Sequence, residues 1–502
     1  MRRRTKILAT LGPATDPLPS VKPGEPEPKI EDYDYTVMDS LIEAGVDVVR
    51  INFSHGSHAD HGRQVQAIRS RAWQRGRQVG VLMDLMGPKI RICKFKDGQV
   101  VLEEGKEFAL DITMGGEDEN TPDGHIGAVG VTYKTLPQDV SRGDTLLLND
   151  GMIQLWVEEV TDTQVQCKVK IGGVLSDRKG INRKGGGLTA KALTEKDMSD
   201  IQFAAEVDAD YLAVSFPRNA ADMEEARKLF RNAGGKGDLV AKIERAESVK
   251  TEVLTGIIET SDAIMIARGD LGVEVGDAEL PALQKRIIKM TRDMNKVVIT
   301  ATQMMESMIY NQIPTRAEVF DVANAVLDGT DAVMLSAETA AGKFPALAVA
   351  AMDRVCRKAE QQPRARKSSH RIDSEFTLID EAIAMSTMYA ANHLGVTAIA
   401  ALTESGATAR WMSRISSGIP IYALTKHVET RRKVTLFRGV YPVSMPPDIN
   451  TQENVTKEVI DELLRQGTVR AGDLVIITKG DKMGALGGTN TMQIVRVGDE
   501  LE

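Results

Sequence analysis

The chain has few cysteines for its length. Only Cys93, Cys167 and Cys356 occur among 502 residues, and they lie far apart in the sequence. An odd, scattered set of thiols argues against a disulfide framework and against a metal site built from cysteines. The sequence also lacks a hydrophobic run long enough to span a bilayer, and the N-terminal MRRRTKIL continues as a strand pattern rather than as a signal-peptide core. We therefore expect a cytoplasmic protein with no membrane partner.

Positive charge is also in deficit, with 63 Lys and Arg against 71 Asp and Glu and a net charge of −8. This balance argues against a general affinity for nucleic acid. No Walker A sequence occurs, which excludes a P-loop nucleotide site at the level of motifs. With 42% hydrophobic and 27% charged residues, the composition is typical of a globular protein, and the length predicts two to four domains.

Eight apolar runs alternate with helical patterns between residues 6 and 342, apart from the stretch 88–184. Near-continuous apolar strands separated by helices indicate a parallel sheet covered on both faces. Eight such strands favour a (β/α)₈ TIM barrel, and the alternative is a doubly wound open sheet. The runs are KILATLG (6–12), VDVVRINFS (46–54), VGVLMDL (79–85), DYLAVSF (210–216), LVAKIE (239–244), DAIMIARGD (262–270), VVITATQ (297–303) and DAVMLSAE (331–338).

Polar residues collect where seven of these runs end. Since barrel active sites are built at the carboxyl ends of the strands, this pattern favours the barrel over the open sheet. The residues are Arg50, Asn52 and Ser54; Asp84; Ser215; Lys242 and Glu244; Arg268 and Asp270; Thr302 and Gln303; and Ser336 and Glu338.

Three other regions complete the predicted organisation. Residues 88–184 contain short strand patterns with Asp-Gly turns, which predict a β-barrel domain inserted after the third strand, where it could act as a lid. The barrel would then comprise residues 1–87 and 185–358. A basic segment at 360–375 predicts a linker, and residues 359–502 predict a C-terminal α/β domain with a helix near 451–466. Residues 14–36 predict a solvated loop.

The acids of two adjacent strands suggest a metal site. Glu244 and Asp270, completed by an oxygen-rich substrate, suit Mg²⁺ or Mn²⁺. Lys242 beside that ion and Arg50 opposite would form a pocket for a phosphate or carboxylate. Arg268 could brace the two acids from behind. The alternative is an ordinary network of ion pairs, since short motifs such as KIE and RGD are common by chance.

Three histidines in HGSHADHG also invite a metal interpretation. His55, His58 and His61 are three residues apart, and that spacing spreads them around a helix instead of bringing them to one ion. We expect an exposed helix start after Ser54.

Seven segments resemble the pyruvate kinase family, in the family's order. They are RINFSHG, DLMGPKIR, KIE, ARGDLGVE, ATQMMESM, the long block PTRAEVFDVANAVLDGTDAVMLSAET and the C-terminal GGTNTM. The resemblance runs from residue 5 to nearly 498. It implies phosphoryl transfer from phosphoenolpyruvate to ADP, giving pyruvate and ATP. It also implies a barrel, a lid, a C-terminal effector and oligomerisation domain, and a homotetramer.

The resemblance assigns roles residue by residue. Glu244 and Asp270 would hold the divalent ion, and Lys242 would neutralise the transferring phosphoryl group and the enolate. This logic is electrostatic, because preorganised cations meet the charge that develops on the phosphoryl oxygens. The other roles are Arg50 and Arg91 at the phosphoryl group; Gly269, Asp270 and Thr302 at the substrate carboxylate; Asn52, His55 and Lys196 near the nucleotide; and Ser336 and Glu338 in the network that protonates the enol.

The segment MDLMGPKIR departs from most of the family. Typical members have Thr-Lys after the aspartate and Glu where Lys89 stands, and they bind an essential K⁺ through Asn, Ser and Asp side chains. The residues at those three positions are Asn52, Ser54 and Asp84. The resemblance therefore implies that the Lys89 ammonium, paired with Asp84, replaces K⁺ and repels it, so that K⁺ is not required.

A phosphorylated effector is a further expectation. TESGATAR (403–410) resembles the family's effector loop, with Thr403, Ser405, Gly406 and Thr408 as its binding residues, and KGDKMGALGGTN (479–490) is the partner loop. The alternative is a capped helix without a ligand. After the lid, GINRKGGGLTAKAL (180–193) differs from the family's usual sequence, which puts nucleotide-side details in question.

Two rival functions are compatible with parts of this pattern. An aldolase-type lyase on a Mg²⁺ barrel would need the same metal acids, but neither the inserted domain nor Lys196. A metabolite sensor that has lost catalysis would keep the C-terminal domain, although every catalytic position matches here.

Overall fold

The computed structural model describes residues 2–17, 33–115, 123–366, 375–445, 452–481 and 487–499. Most of the loop predicted at 14–36, the middle of the predicted linker and part of the predicted effector partner loop lie outside these residues. The described strands are β1 (Lys6–Thr10), β2 (Val48–Asn52), β3 (Gly80–Asp84), β4 (Gln99–Leu102), β5 (Glu107–Asp111), β6 (Ala128–Gly130), β7 (Thr145–Leu148), β8 (Ile153–Val160), β9 (Gln164–Ile171), β10 (Gly173–Ser176), β11 (Ile181–Arg183), β12 (Tyr211–Val214), β13 (Asp238–Ile243), β14 (Ala263–Ala267), β15 (Val297–Ala301), β16 (Ala332–Leu335), β17 (Ala398–Leu402), β18 (Ile421–Thr425), β19 (Val440–Ser444), β20 (Leu474–Gly480) and β21 (Thr489–Arg496).

The helices alternate with the strands of the first and last regions. They are α1 (Thr36–Ala44), α2 (His58–Gln74), α3 (Leu136–Asp139), α4 (Glu195–Glu206), α5 (Ala220–Asn232), α6 (Thr251–Thr260), α7 (Arg268–Val275), α8 (Leu280–Asp293), α9 (Arg316–Asp328), α10 (Ala337–Ala340), α11 (Pro345–Ala359), α12 (Ile379–Leu394), α13 (Ala407–Ser413), α14 (Val428–Lys433) and α15 (Gln452–Arg465). Among the described residues, no helix is both long enough and apolar enough to cross a membrane.

Eight parallel strands close into a barrel in the order β1-β16-β15-β14-β13-β12-β3-β2. Nearly every strand residue is buried, because the inner face packs on itself and the outer face packs on the helices. The predicted (β/α)₈ barrel is therefore confirmed, and the open-sheet alternative is wrong. Several strands end earlier than predicted: β14 stops at Ala267 and β15 at Ala301.

Strands β4 to β11 form the predicted insertion, for which we keep the name lid domain; it is a separate β-rich domain whose described strands form two sheets rather than the closed β-barrel that was predicted. β3 is followed in the barrel by β12, so the lid domain interrupts the barrel after its third strand, as expected. Its strands form a six-stranded sheet, β11-β7-β8-β9-β5-β6, and a two-stranded sheet, β10-β4. Buried Phe108, Leu155 and Val157 lie in its own hydrophobic core.

The C-terminal region is the predicted α/β domain, with the sheet order β19-β18-β17-β20-β21. It packs against the amino ends of the barrel strands, opposite the end that carries the polar residues. Arg414 forms a fully buried ion pair with Asp331, directly before β16, and the Tyr211 hydroxyl of β12 donates to the Lys433 carbonyl. The carboxyl ends of the strands are thereby left to the lid domain.

Candidate active site

The buried carboxylate of Asp84 is the centre of the charged cluster at the carboxyl end of the barrel. Its Oδ2 lies 2.6 Å from Arg50 Nε, and its Oδ1 lies 3.3 Å from Lys242 Nζ. Burial alone would raise the pKa of Asp84, but the charges of Lys242 and Arg50 hold it below its usual value. The expected pairing of Asp84 with Lys89 is therefore wrong. Lys89 Nζ lies instead 3.8 Å from Asp270 Oδ1.

Lys242 joins this cluster to the predicted metal acids. Its ammonium lies 3.0 Å from Glu244 Oε1 and donates to Ser215 Oγ at 2.7 Å. Burial would lower the pKa of Lys242, but Asp84 and Glu244 raise it above the ordinary value. The side chain is thus a fixed positive charge at the base of the site.

Glu244 is an almost fully buried carboxylate with a raised pKa. Burial raises its pKa to about 7; Lys242 opposes the shift, and the nearby charges of Asp270 and Asp84 add to it. Its Oε2 accepts a hydrogen bond of 2.8 Å from the Phe216 amide. Its closeness to Asp270 is what a shared cation would relieve.

The two predicted metal acids fit a divalent ion that takes its other ligands from substrate and water. In the described part of the chain, no group of three or more His, Cys, Asp or Glu side chains is arranged to hold a metal. Glu244 and Asp270 would thus supply two oxygen-bearing side chains. Asp270 lies in the first turn of α7 rather than at the end of a strand, and it is partly open to solvent.

The turn after β15 has an unusual backbone. Thr302 and Gln303 have φ angles of 67° and 54°, which is strained for a β-branched residue such as threonine. The Gly269 amide donates to Thr302 Oγ1 at 2.8 Å, and this hydroxyl contacts the Ala301 carbonyl at 2.7 Å. The groups predicted to bind a substrate carboxylate therefore lie close together, and two of them, the Gly269 amide and the Thr302 hydroxyl, are hydrogen-bonded to each other.

Arg268 holds this turn in place. Its guanidinium donates to the Thr302 carbonyl at 2.7 Å and pairs with Asp321 at 2.8 Å. The expectation that Arg268 braces Glu244 and Asp270 is wrong, because the side chain extends toward β15 and α9.

Ser336 and Glu338 lie together beyond β16. Glu338 accepts from the Ser336 amide at 2.7 Å and from the Met305 amide at 3.1 Å, and burial raises its pKa. The buried Ser336 hydroxyl has no hydrogen-bond partner among the described residues. An unpaired buried hydroxyl is suited to a water or substrate atom.

The residues predicted at the nucleotide flank the start of α2. Lys196 Nζ donates to the Phe53 carbonyl at 2.9 Å and pairs with Asp200 Oδ2 at 2.6 Å. His58 contacts the other oxygen of Asp200 at 2.7 Å. His55 is exposed, and Asn52 Oδ1 accepts from the Ser54 amide at 3.1 Å.

The prediction of an exposed helix start after Ser54 holds for His55 but not for the next turn of α2. His61 is buried against Phe53, and burial lowers its pKa.

A cleft of about 430 Å³ separates the lid domain from the start of α7. Leu147, Asp150, Gln154 and Lys184 line it on the lid side, opposite Asp270. Arg91, predicted to reach the phosphoryl group, donates within the lid domain to the Arg178 carbonyl at 2.9 Å. In this structure Arg91 is therefore not brought to the barrel residues.

The predicted effector loop has its hydroxyls at the start of α13. Thr403 Oγ1 accepts from the Gly406 amide at 2.9 Å, and Ser405 Oγ accepts from the Ala407 amide at 3.4 Å. Thr408 contacts Thr489 of β21 at 2.7 Å.

Glu404 makes an ion pair in this loop that was not predicted from the sequence. Glu404 pairs with His427 at 2.5 Å, and TESGATAR already displays the acid that makes the contact.

Two models of known protein families match the sequence of this chain. The family "Pyruvate kinase, barrel domain" matches residues 2–349, and "Pyruvate kinase, alpha/beta domain" matches residues 381–495. The chain belongs to the pyruvate kinase family. As a member it is an enzyme of the kinase class of transferases.

Individual pyruvate kinases agree with this assignment over their whole length. The chain is 52% identical to pyruvate kinase II of Salmonella typhimurium over 499 residues, which cover 99% of each chain. It is 51% identical to the pyruvate kinase of Haemophilus influenzae, covering 95% of this chain and 96% of the relative. The crystal structure of a pyruvate kinase from Cryptosporidium parvum superposes with a TM-score of 0.86 at 33% identity, covering 99% of this chain and 96% of that one.

Proposed function

We propose that this protein is a pyruvate kinase that transfers the phosphoryl group of phosphoenolpyruvate to ADP with the help of Mg²⁺ or Mn²⁺. The observation that carries the proposal is the position of Lys242, whose buried ammonium lies between Asp84 and Glu244, while the charge of Asp270 acts on Glu244. Neither the lyase nor the sensor alternative needs a lid domain over such a site. Residues 1–87 and 185–358 would form the catalytic barrel, 88–184 the lid and 359–502 the regulatory domain.

The chemistry of the site is electrostatic. Glu244 and Asp270 would hold the divalent ion, which supplies positive charge to the phosphoryl oxygens. Lys242 and Arg50 meet the negative charge that develops during transfer and on the enolate that remains. Because Asp84 holds both cations in place, they need not reorganise when the reaction occurs. Thr302 and the Gly269 amide would exchange their mutual bond for the substrate carboxylate.

Proton delivery to the enolate would involve Ser336. Its hydroxyl is buried and has no partner in the described part of the chain, whereas Glu338 is fixed by two backbone amides. We assign Ser336 to holding the proton donor, with Glu338 shaping the turn that presents it. On the nucleotide side, Lys196, Asn52 and His55 would contact the diphosphate, and Arg91 would approach the phosphoryl group on movement of the lid.

We further propose that the enzyme works without K⁺. Lys89 places a permanent positive charge beside Asp270, and Asp84 already has two cationic partners. Asn52, Ser54 and Asp84 would therefore lack the uncompensated negative charge that a K⁺ site needs.

Regulation and assembly follow the family. The hydroxyls of Thr403, Ser405 and Thr408, with Gly406, would bind a phosphorylated effector. A homotetramer would cover exposed apolar side chains that a soluble monomer rarely carries together. Tyr310, Ile313 and Phe320 are each more than 70% exposed, and Leu378 and Ile379 extend from the start of α12. This reaction implies an enzyme of glycolysis that works in the cytoplasm.

Pyruvate formation from phosphoenolpyruvate and ADP with Mg²⁺ tests the proposal. We expect turnover that a chelator abolishes and that restored Mg²⁺ recovers, and sedimentation of a tetramer. Absence of pyruvate with and without phosphorylated sugars, in protein that binds phosphoenolpyruvate, would favour the sensor. Cleavage of a carbon–carbon bond without ADP would favour the lyase.

A further inference from the structure

Glu274 is a buried carboxylate that none of the proposed catalytic steps uses. It lies in α7, four residues after Asp270, and the residue is 7% exposed. A carboxylate in such a position is costly unless its oxygens have partners. Both of them do.

The two oxygens of Glu274 accept from two different parts of the molecule. Oε1 accepts from Asn182 Nδ2 at 3.2 Å, and Asn182 belongs to β11, the last strand of the lid domain. Oε2 accepts from the Ala246 amide at 2.8 Å, and Ala246 follows the metal acid Glu244 by two residues. The Glu274 carbonyl also accepts from the Gly185 amide at 3.0 Å.

The segment after Asn182 has the backbone of a hinge. Gly185, Gly186 and Gly187 have φ angles of 83°, 79° and 95°, which other residues rarely adopt. The Gly187 amide donates to Glu247 at 3.3 Å, so a second acid holds the same segment. Two carboxylates of the barrel side therefore hold the end of the strand β11, which pairs with β7 inside the lid domain, and the glycine segment that follows it.

A glutamine could not replace Glu274 in this arrangement. Two N–H donors from separate elements converge on one side chain, and an amide has a single acceptor oxygen. Glu274 is also linked to both metal acids. It lies one turn of α7 after Asp270, and it is hydrogen-bonded to Ala246, which follows Glu244 by two residues.

We infer that Glu274 is a positioning residue that couples the lid domain to the two metal-binding carboxylates. Displacement of the lid strand then shifts Glu274, and with it the segments that carry Asp270 and Glu244. By reciprocity, a divalent ion that fixes these acids favours one position of the lid. The inference rests on the proposed metal role of Glu244 and Asp270.

An exchange of partners tests the coupling. Asn182→Asp places a second carboxylate against Glu274 and removes its donor, so we expect Mn²⁺ affinity, measured by electron paramagnetic resonance, to fall about tenfold. The KM for ADP should rise by a similar factor, with kcat changed less than about threefold. In Asn182→Asp/Glu274→Gln, the glutamine can accept from Ala246 and donate to the aspartate, and both constants should return to within about threefold of wild type.

The controls separate coupling from general damage. Gln166→Glu adds the same charge to the lid domain within β9, where the side chain contacts Gln164, and it should change neither constant. Asn182→Ala removes the donor without adding charge and should weaken Mn²⁺ binding less than Asn182→Asp. If Asn182→Asp does not fold, Asn182→Ala and the double variant still decide the question.

The possible failures are distinguishable. If the wild type forms no pyruvate and binds no Mn²⁺, the proposed function fails. If the wild type is active and Asn182→Asp binds Mn²⁺ and ADP as the wild type does, the coupling fails. Equal losses in the single and double variants would also overturn it, because they would show that the effect of Asn182→Asp does not act through Glu274.

Discussion

Lys89 Nζ lies 3.8 Å from Asp270 Oδ1, across the cleft between the lid domain and α7. Lys89 belongs to the segment that leaves the barrel after β3, whereas Asp270 is one of the two proposed metal ligands. The contact brings a lysine ammonium to the edge of the proposed metal site. A glutamate at position 89 would add negative charge at the same point, and that charge could attract a monovalent cation.

The first prediction concerns this charge. Wild-type enzyme should reach full activity in buffers free of K⁺, NH₄⁺ and Na⁺. Lys89→Glu replaces a positive charge by a negative one, so activity without K⁺ should fall at least about tenfold and return when K⁺ is added. Initial rates of pyruvate formation across a K⁺ titration provide the measurement.

Lys89→Met is the matched control, because it removes the cation without creating a new anion. Its activity should fall and respond only weakly to K⁺. A wild-type enzyme that is silent until K⁺ is supplied would contradict this account of Lys89, although it would leave the assignment to the family intact.

The second prediction concerns Lys242. Lys242→Met would remove the cation shared by Asp84 and Glu244, and kcat should fall by about 10³ or more. Lys242→Arg keeps the charge but cannot reproduce a compact ammonium bonded to Ser215 and both acids, so it should recover only part of the rate.

Steady-state rates and phosphoenolpyruvate binding, measured on the same samples, separate chemistry from affinity. The exposed Lys250→Met serves as control and should behave as wild type. A Lys242→Met enzyme that retains a tenth or more of kcat would remove Lys242 from the mechanism.

Much of the barrel and of its polar end can be predicted from the sequence, for a physical reason. Strands buried on both faces must be apolar almost throughout, so the eight runs are conspicuous. Their carboxyl ends meet at one end of the barrel, and the polar residues that follow them are therefore neighbours. Arg50, Asp84, Lys242 and Glu244 are brought together in this way.

The partners of each charge are less predictable, because short turns redirect the chain. Lys89 follows Asp84 by only five residues, but Gly87 between them has a φ of 65°, and its amide donates to Asp197 at 3.1 Å. This turn directs Lys89 away from Asp84 and toward α7. In the sequence, Glu274 likewise resembles a solvent-exposed acid of a helix. Its burial could not be predicted, because its partner Asn182 comes from the lid domain, about ninety residues earlier.

The third prediction follows from the burial of Glu274. Burial raises its pKa to about 7, Glu247 adds to the shift, and the amide donors and Arg245 oppose it. An ordinary glutamate in the unfolded chain has a pKa of about 4.3. The native state therefore binds the proton more tightly, and the contribution of Glu274 to stability is lost as the pH rises from about 4.3 to 7.

Glu274→Gln has no such titration. Its melting temperature minus that of the wild type should become more positive between pH 5 and pH 8, whatever the constant cost of the lost acceptor. Differential scanning calorimetry of both proteins at several pH values gives the comparison. A difference that stays flat would mean that Glu274 is ionised throughout this range, and one that moves in the other direction would mean that groups other than Glu274 control it.

The fourth prediction tests the junction between the barrel and the C-terminal domain. Arg414 and Asp331 are both about 1% exposed, and Arg414 Nη1 lies 2.8 Å from Asp331 Oδ2. Arg414→Met leaves Asp331 buried without its cation, so it should lower the free energy of unfolding by about 3–5 kcal/mol. Urea denaturation followed by fluorescence and circular dichroism would measure the loss.

Adding Asp331→Asn to Arg414→Met should restore part of this stability, because the amide oxygen can still accept from Val298 and no charge remains buried. Lys289→Met breaks an exposed pair with Asp293 and should cost less than about 1 kcal/mol. If the double variant is as unstable as Arg414→Met alone, the cost arises from the lost packing and backbone contacts of Arg414, including its bond to the Lys296 carbonyl, rather than from the unpaired charge. The comparison therefore shows whether the ion pair or the packing of Arg414 contributes more to the stability of the junction between the two domains.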